Sequence, residues 1–144
     1  MSLDTKYEDN NIFAKIINGD LPCVKIYEDE NILSFMDIFP QTEGHCLIIH
    51  KKAASVNIMD MPADALAEVI LIVQKIARAA TAALSPDGVR IVQFNGASAG
   101  QTVFHTHFHV IPTNDGMPES NHASGSPHPT EELEAVAAKI RAAL

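Results

Sequence analysis

Three histidines alternate with other residues in His105-Thr106-His107-Phe108-His109. On an extended strand, positions i, i+2 and i+4 point to one side, so the three imidazoles are expected on a common face. The opposite face reads Thr102, Phe104, Thr106, Phe108 and Val110, mostly apolar, and is expected to meet the core. Three imidazoles buried without partners would be costly, so the histidine face reads as a site and not as ordinary interior. Two chemistries suit it. A neutral imidazole is a nucleophile and a base near neutral pH. His-x-His on a strand also suits zinc, for which His45 could add a nitrogen and Asp115 or Glu119 a carboxylate. Local chemistry alone leaves both open.

The residues just upstream shift the balance. Asn95-Gly96-Ala97-Ser98-Ala99-Gly100-Gln101-Thr102 is small and glycine-rich. Such a loop lets backbone N–H groups converge on a phosphate, and Gln101 and Thr102 add side-chain donors. A loop of this kind running directly into three histidines points to chemistry on phosphorus.

These residues need a scaffold. Ile12, Phe13 and Ile16 recur at helical spacing and Gly19 is a natural stop, so a short helix is expected there. Val24–Tyr27 and Ile32–Met36 read as a strand hairpin around a polar turn. His45–Ile49 reads as a third strand. Asp60 and Pro62 open a long helix to Leu84, with Leu66, Val69, Val73, Ile76 and Ala80 on one face and Asp60 as its cap. Val89–Phe94 and Val103–Ile111 complete the strands, the last closed by Pro112. Residues 113–129 are rich in turn formers, and Thr130 is expected to cap a final helix. The fold class expected is α+β: a five-stranded antiparallel sheet, one long helix between strands 3 and 4, a short N-terminal helix and a C-terminal helix. Residues 1–10 are expected to be ragged, 11–112 to form the domain, and 113–144 to add a loop and helix to it.

Composition narrows the function. The 144 residues carry 10 Lys and Arg against 18 Asp and Glu, a formal net charge of -8. That disfavours a binder of nucleic acid polymers, though not a small phosphate ligand held by local donors. Cys23 and Cys46 are too few for a disulfide framework. No apolar run approaches the roughly 18 residues that span a bilayer. The opening Met1-Ser2-Leu3-Asp4 lacks a signal-peptide core, so a cytoplasmic protein without membrane contact is expected.

The ordered motifs together resemble the histidine triad (HIT) family, whose pattern is His-φ-His-φ-His-φ-φ with φ apolar. Here it reads His105-Thr106-His107-Phe108-His109-Val110-Ile111, with Thr106 the one polar departure. The resemblance runs from residue 11 to about 112 and includes Ile12–Ile17, Phe35–Ile38, Gly44–Ile49 and Asn95–Thr102. It implies a homodimer and a nucleotide hydrolase. The enzyme would release a nucleoside monophosphate, AMP or GMP, from a phosphoramidate or phosphoanhydride through a nucleotidyl-histidine intermediate.

By the same resemblance His107 is the nucleophile and His109 donates to a phosphate oxygen. His105 and His45 would form a buried hydrogen-bonded pair. Asp37 would hold the ribose, and Ile12, Phe13, Ile16, Phe35 and Ile38 would form the base slot. Asn95, Gln101 and Thr102 would contact phosphate and ribose. The nucleotidyltransferase branch has glutamine where this chain has His109, which favours the hydrolase branches. No cofactor or catalytic metal is expected. Structural zinc is not expected either, because Asn11 and Ala14 stand where some members carry a Cys-x-x-Cys pair. His50, where the family often has proline, reads as a solvated strand-end residue, and His122 and His128 as surface residues. The alternative is a nucleotide-binding interaction protein with incidental turnover.

Overall fold

The computed structural model describes residues 2–117 and 125–144. Strand alternation builds the sheet. β1 (Lys25–Glu28) and β2 (Ile32–Met36) pair antiparallel. Their turn is closed by the Asp29 carboxylate, which accepts from the backbone N–H groups of Asn31 and Ile32 at 2.8 and 2.7 Å. β3 (Cys46–His50) pairs with β2, β4 (Gly88–Val92) follows the long helix, and β5 (His107–Thr113) lies between β3 and β4. The order is β1-β2-β3-β5-β4, antiparallel throughout.

α2 (Ala63–Leu84) and α3 (Thr130–Ala142) cover one face. Ile32, Met36, Ile48, Phe108 and Val110 from the sheet join Val69, Val73, Ile76, Leu133 and Ile140 there. α1 (Ile12–Ile17) lies over the opposite face, where Phe13 packs with Leu33, Phe35, Leu47 and Ile49. Both faces of β2 and β3 are therefore buried, although antiparallel sheets commonly leave one face wet.

Several local expectations are revised. Asp60 does not cap α2. Its carboxylate accepts from the N–H groups of Val56 and Asn57, closing the preceding turn, and Pro62 occupies the cap position. Thr130 is the first residue of α3, and Pro129 precedes it as the cap. β5 begins at His107 and not at Val103, because pairing with β3 stops at Ile49 opposite His107. β5 also continues through Pro112. Past Val110 it has only β4 beside it, where a residue without an N–H is tolerated. The N-terminal segment lacks regular structure, but it is not loose. Leu3 O accepts from Asn57 Nδ2 at 3.1 Å, and Tyr7 is half-buried. Part of the expected loop, residues 118–124 with Glu119 and His122, lies outside the described residues.

Candidate active site

The site forms on the α1 side of the sheet. Register places His109 opposite Leu47 and His107 opposite Ile49 on the central strand pair. Both rings turn away from the helix-packed core and line a cavity of about 610 Å³. Ile12, Phe13, Ile16, Phe35, Asp37, Ile38 and Thr102 line the same cavity, so these sequence-predicted positions converge. Ile12 and Ile38 stand at its rim, 50% and 47% exposed, while Phe13 and Phe35 are buried within. Phe13 meets the His107 ring edge-on at 4.9 Å between centroids.

The hydrogen bonds fix the tautomers of the rings. His107 Nδ1 lies 2.6 Å from the carbonyl oxygen of His105, which can only accept. The proton of the neutral ring is thus on Nδ1 and the lone pair on Nε2. A backbone carbonyl sets this orientation, and the carbonyl belongs to the neighbouring triad histidine.

His105 itself is not on the strand. Residues 103–105 form a bend, so the expected run of three rings at strand spacing holds only for His107 and His109. The bend lets the His105 ring reach elsewhere. Its Nε2–H donates to the His50 carbonyl at 3.1 Å, and its Nδ1 accepts from the Tyr7 hydroxyl at 2.7 Å. Burial holds the imidazole neutral by lowering its pKa from 6.5 to about 4.

His45 pairs with His109 and not with His105. Gln41 N–H donates to His45 Nδ1 at 2.9 Å, which puts the His45 proton on Nε2. His45 Nε2 then donates to His109 Nδ1 at 2.9 Å. The neutral His109 ring consequently carries its proton on Nε2. Asp37 Oδ2 stands 3.4 Å from His45 Nε2, and Asp37 Oδ1 accepts from Phe39 N–H at 2.8 Å.

Two predicted contacts are placed differently. The Gln101 amide is buried and committed to the protein: Oε1 accepts from Gly96 N–H, and Nε2 donates to the carbonyls of Val56 and Val103. Asn95 Oδ1 accepts from Ile58 N–H, and its Nδ2 donates to Gln93. Both side chains brace the loop and do not line the cavity. The N–H groups of Ala99, Gly100 and Gln101 also bond inward, to Gly96 and Ala97 carbonyls, so the loop is less of a nest than its composition suggests.

Thr106, the polar departure in the triad, is explained by Ser55. The two hydroxyls meet at 2.8 Å, and Thr106 N–H donates to Ser55 O at 2.9 Å, all buried. His50 is buried and not solvated, with Nδ1 accepting from the N–H groups of Lys52 and Ala53. Tyr7, Gln41 and Ser55 were beyond the reach of sequence reasoning, since each acts through a contact that no local pattern marks. Leu133, which lines the cavity from α3, had a signal in the apolar spacing Leu133, Ala137, Ile140.

Donor atoms of Asp37, His45 and His109 all lie within 4.8 Å of one another. They fit a cation poorly. The lone pair of His45 is at Nδ1 under the Gln41 N–H, and its proton is on the nitrogen that would have to coordinate. At the positions matched to Cys-x-x-Cys, Asn11 caps α1 through Oδ1 and Ala14 is buried. Cys46, the buried cysteine of β3, has its thiol pushed up to about 12 by burial. No helix among the described residues is long and apolar enough to cross a membrane.

Comparison with known proteins agrees with this architecture. A HIT-like protein from Bartonella henselae superposes with a TM-score of 0.91 at 46% identity, covering 97% of this chain and all of that one. A zinc-bound histidine triad family protein from Mycobacterium smegmatis gives a TM-score of 0.80 at 38% identity, covering 93% and 92%. Among curated relatives, the adenosine 5'-monophosphoramidase hnt1 of Schizosaccharomyces pombe is 40% identical over 101 residues, 70% of this chain and 72% of that protein. The HIT domain family profile matches residues 18–116, from the end of the first helix through the whole of β5, and the chain belongs to that family.

Proposed function

We propose that the protein is a nucleotide hydrolase that releases a nucleoside monophosphate from phosphoramidate or phosphoanhydride substrates through a covalent intermediate on His107. The observation that carries this reading is the 2.6 Å bond from His107 Nδ1–H to His105 O, which leaves the lone pair on Nε2 of a ring that lines the cavity. In the first step Nε2 bonds to the α-phosphorus and the bond from phosphorus to the leaving amine or phosphate breaks. The leaving group takes a proton from His109 or from a relayed water. Water then attacks phosphorus and returns one proton to the group that protonated the leaving group, the P–N bond breaks with its electron pair going back to His107 Nε2, and the monophosphate leaves.

His109 supplies charge stabilisation, because the relay from Gln41 through His45 places its proton on Nε2, suited to a phosphate oxygen. Thr102 adds a hydroxyl at the cavity wall. Asp37 lines the cavity, where its carboxylate suits a vicinal diol, and the exposed Ile12 and Ile38 suit a flat base. Aliphatic walls grip purines with little discrimination, so the reading includes AMP and GMP. No cation enters these steps. The reading includes a homodimer, supported by Ile91 exposed on the open sheet edge and Ile70 and Leu71 exposed on α2. Relatives named as an adenosine monophosphoramidase and an adenylylsulfatase support the hydrolytic class.

The test is turnover of adenosine phosphoramidate in excess chelator, beside His107→Ala. Turnover that survives chelator and disappears in the variant is expected. Loss under chelator would favour a metal mechanism, and AMP binding by two inert proteins would favour a binding module.

A further inference from the structure

The segment before α1 carries no motif, yet it reaches the site. Tyr7 Oη lies 2.7 Å from His105 Nδ1, across 98 residues of sequence, and the two rings meet edge-on at 5.6 Å. Because His105 Nε2–H is already directed to the His50 carbonyl, Nδ1 can only accept, and the phenol must donate. The Tyr7 arm is itself tied down, with Leu3 O accepting from Asn57 Nδ2.

The importance of this contact follows from where β5 starts. The ladder with β3 begins at His107, so His105 and its carbonyl lie outside the sheet. That carbonyl is the acceptor that orients His107. It is held by the neighbouring Thr106 bonds to Ser55 and by the two bonds of the His105 ring. We propose that Tyr7 is a positioning residue for His107, acting through His105 by fixing the carbonyl that receives the His107 Nδ1 proton. The inference rests on reading His107 as the nucleophile. It adds a residue outside the triad and outside the matched family segment.

Tyr7 does not line the cavity that holds His107 and His109, so its loss should affect the chemical step and spare binding. Tyr7→Phe keeps the ring and removes the donor. It should lower kcat for adenosine phosphoramidate roughly tenfold, with KM and AMP affinity within about twofold of wild type. A second readout needs no turnover. The His107 Nδ1–H proton, followed by nitrogen-15 NMR of the imidazoles, should exchange with water roughly tenfold faster in Tyr7→Phe. Thermal melting of both proteins normalises the rates to folded molecules.

If Tyr7→Phe matches wild type in kcat and in proton exchange, the proposal is overturned. The same holds even if Tyr7→Ala is impaired, since the ring would then act by packing alone. Equal losses of kcat and AMP affinity would also overturn it. If the wild-type protein is inert toward phosphoramidate, the hydrolase reading fails, and the exchange rate alone decides whether Tyr7 holds His107.

Discussion

The two faces of the sheet use alternate residues of the same strands but are held by different forces. On the α2 and α3 side, Ile48, Phe108 and Val110 are packed among aliphatic side chains. On the α1 side, Leu47 and Ile49 share their layer with His107 and His109, and buried hydrogen bonds do much of the positioning. Within β5 one residue step crosses from one regime to the other. Dispersion and area burial tolerate small shifts, whereas an imidazole bond of 2.6 to 2.9 Å does not. Stability and chemistry should therefore separate by face.

Substitutions in β5 test that separation most sharply. His107→Ala should reduce turnover by about 10⁴-fold while AMP affinity changes less than about tenfold, measured by steady-state kinetics and calorimetry. Phe108→Ala, one residue along, should do the reverse. Deleting a ring that is 6% exposed from the helix-side core should cost about 3–5 kcal/mol in urea unfolding and leave kcat per folded molecule within a few-fold. A large loss of kcat in folded Phe108→Ala would dissolve the distinction.

The polar face should also respond to acid where the apolar face cannot. His105 is neutral in the fold, with its pKa lowered from 6.5 to about 4, while the unfolded chain titrates near the ordinary value. Between those values the unfolded state binds the extra proton. Stability should be full above about pH 6.5 and fall as pH drops toward 4, by up to roughly 3 kcal/mol. His105→Gln should flatten that window in a urea series against pH. The smallest effect concerns the rim. Ile38→Ala removes a side chain that is 47% exposed, so melting should barely move, while AMP affinity should fall about fivefold.

The face that carries packing was the more legible in sequence. Short, mostly apolar runs located β2 and β3 to within a residue, and the 3.6-residue period located α2. The start of β5 was not legible, because alternation persists through Val103–Thr106 while the partner strand has already ended at His50. Spacing singled out His107 and His109, the family resemblance singled out Asp37 and the slot, and all of these positions line one cavity. Their partners were hidden. Whether Gln101 faces a ligand or Val56 O, or whether His45 meets His105 or His109, is decided by tertiary geometry that no local pattern encodes. Asp60 and Thr130 failed as caps for a related reason: a proline took the cap position of each helix, and nearer N–H groups claimed Asp60.

β5 is the last strand among the described residues and yet lies inside the sheet, between β3 and β4. During synthesis those two neighbours emerge first, each with an unsatisfied edge facing a vacant lane. Closing that lane requires a connection across the whole of α2, a slow, non-local event. Until it closes, the nascent chain offers two open ladders to other chains and leaves the His107 and His109 rings unordered. Enzymatic competence would then arrive together with protection from aggregation, in a single late insertion.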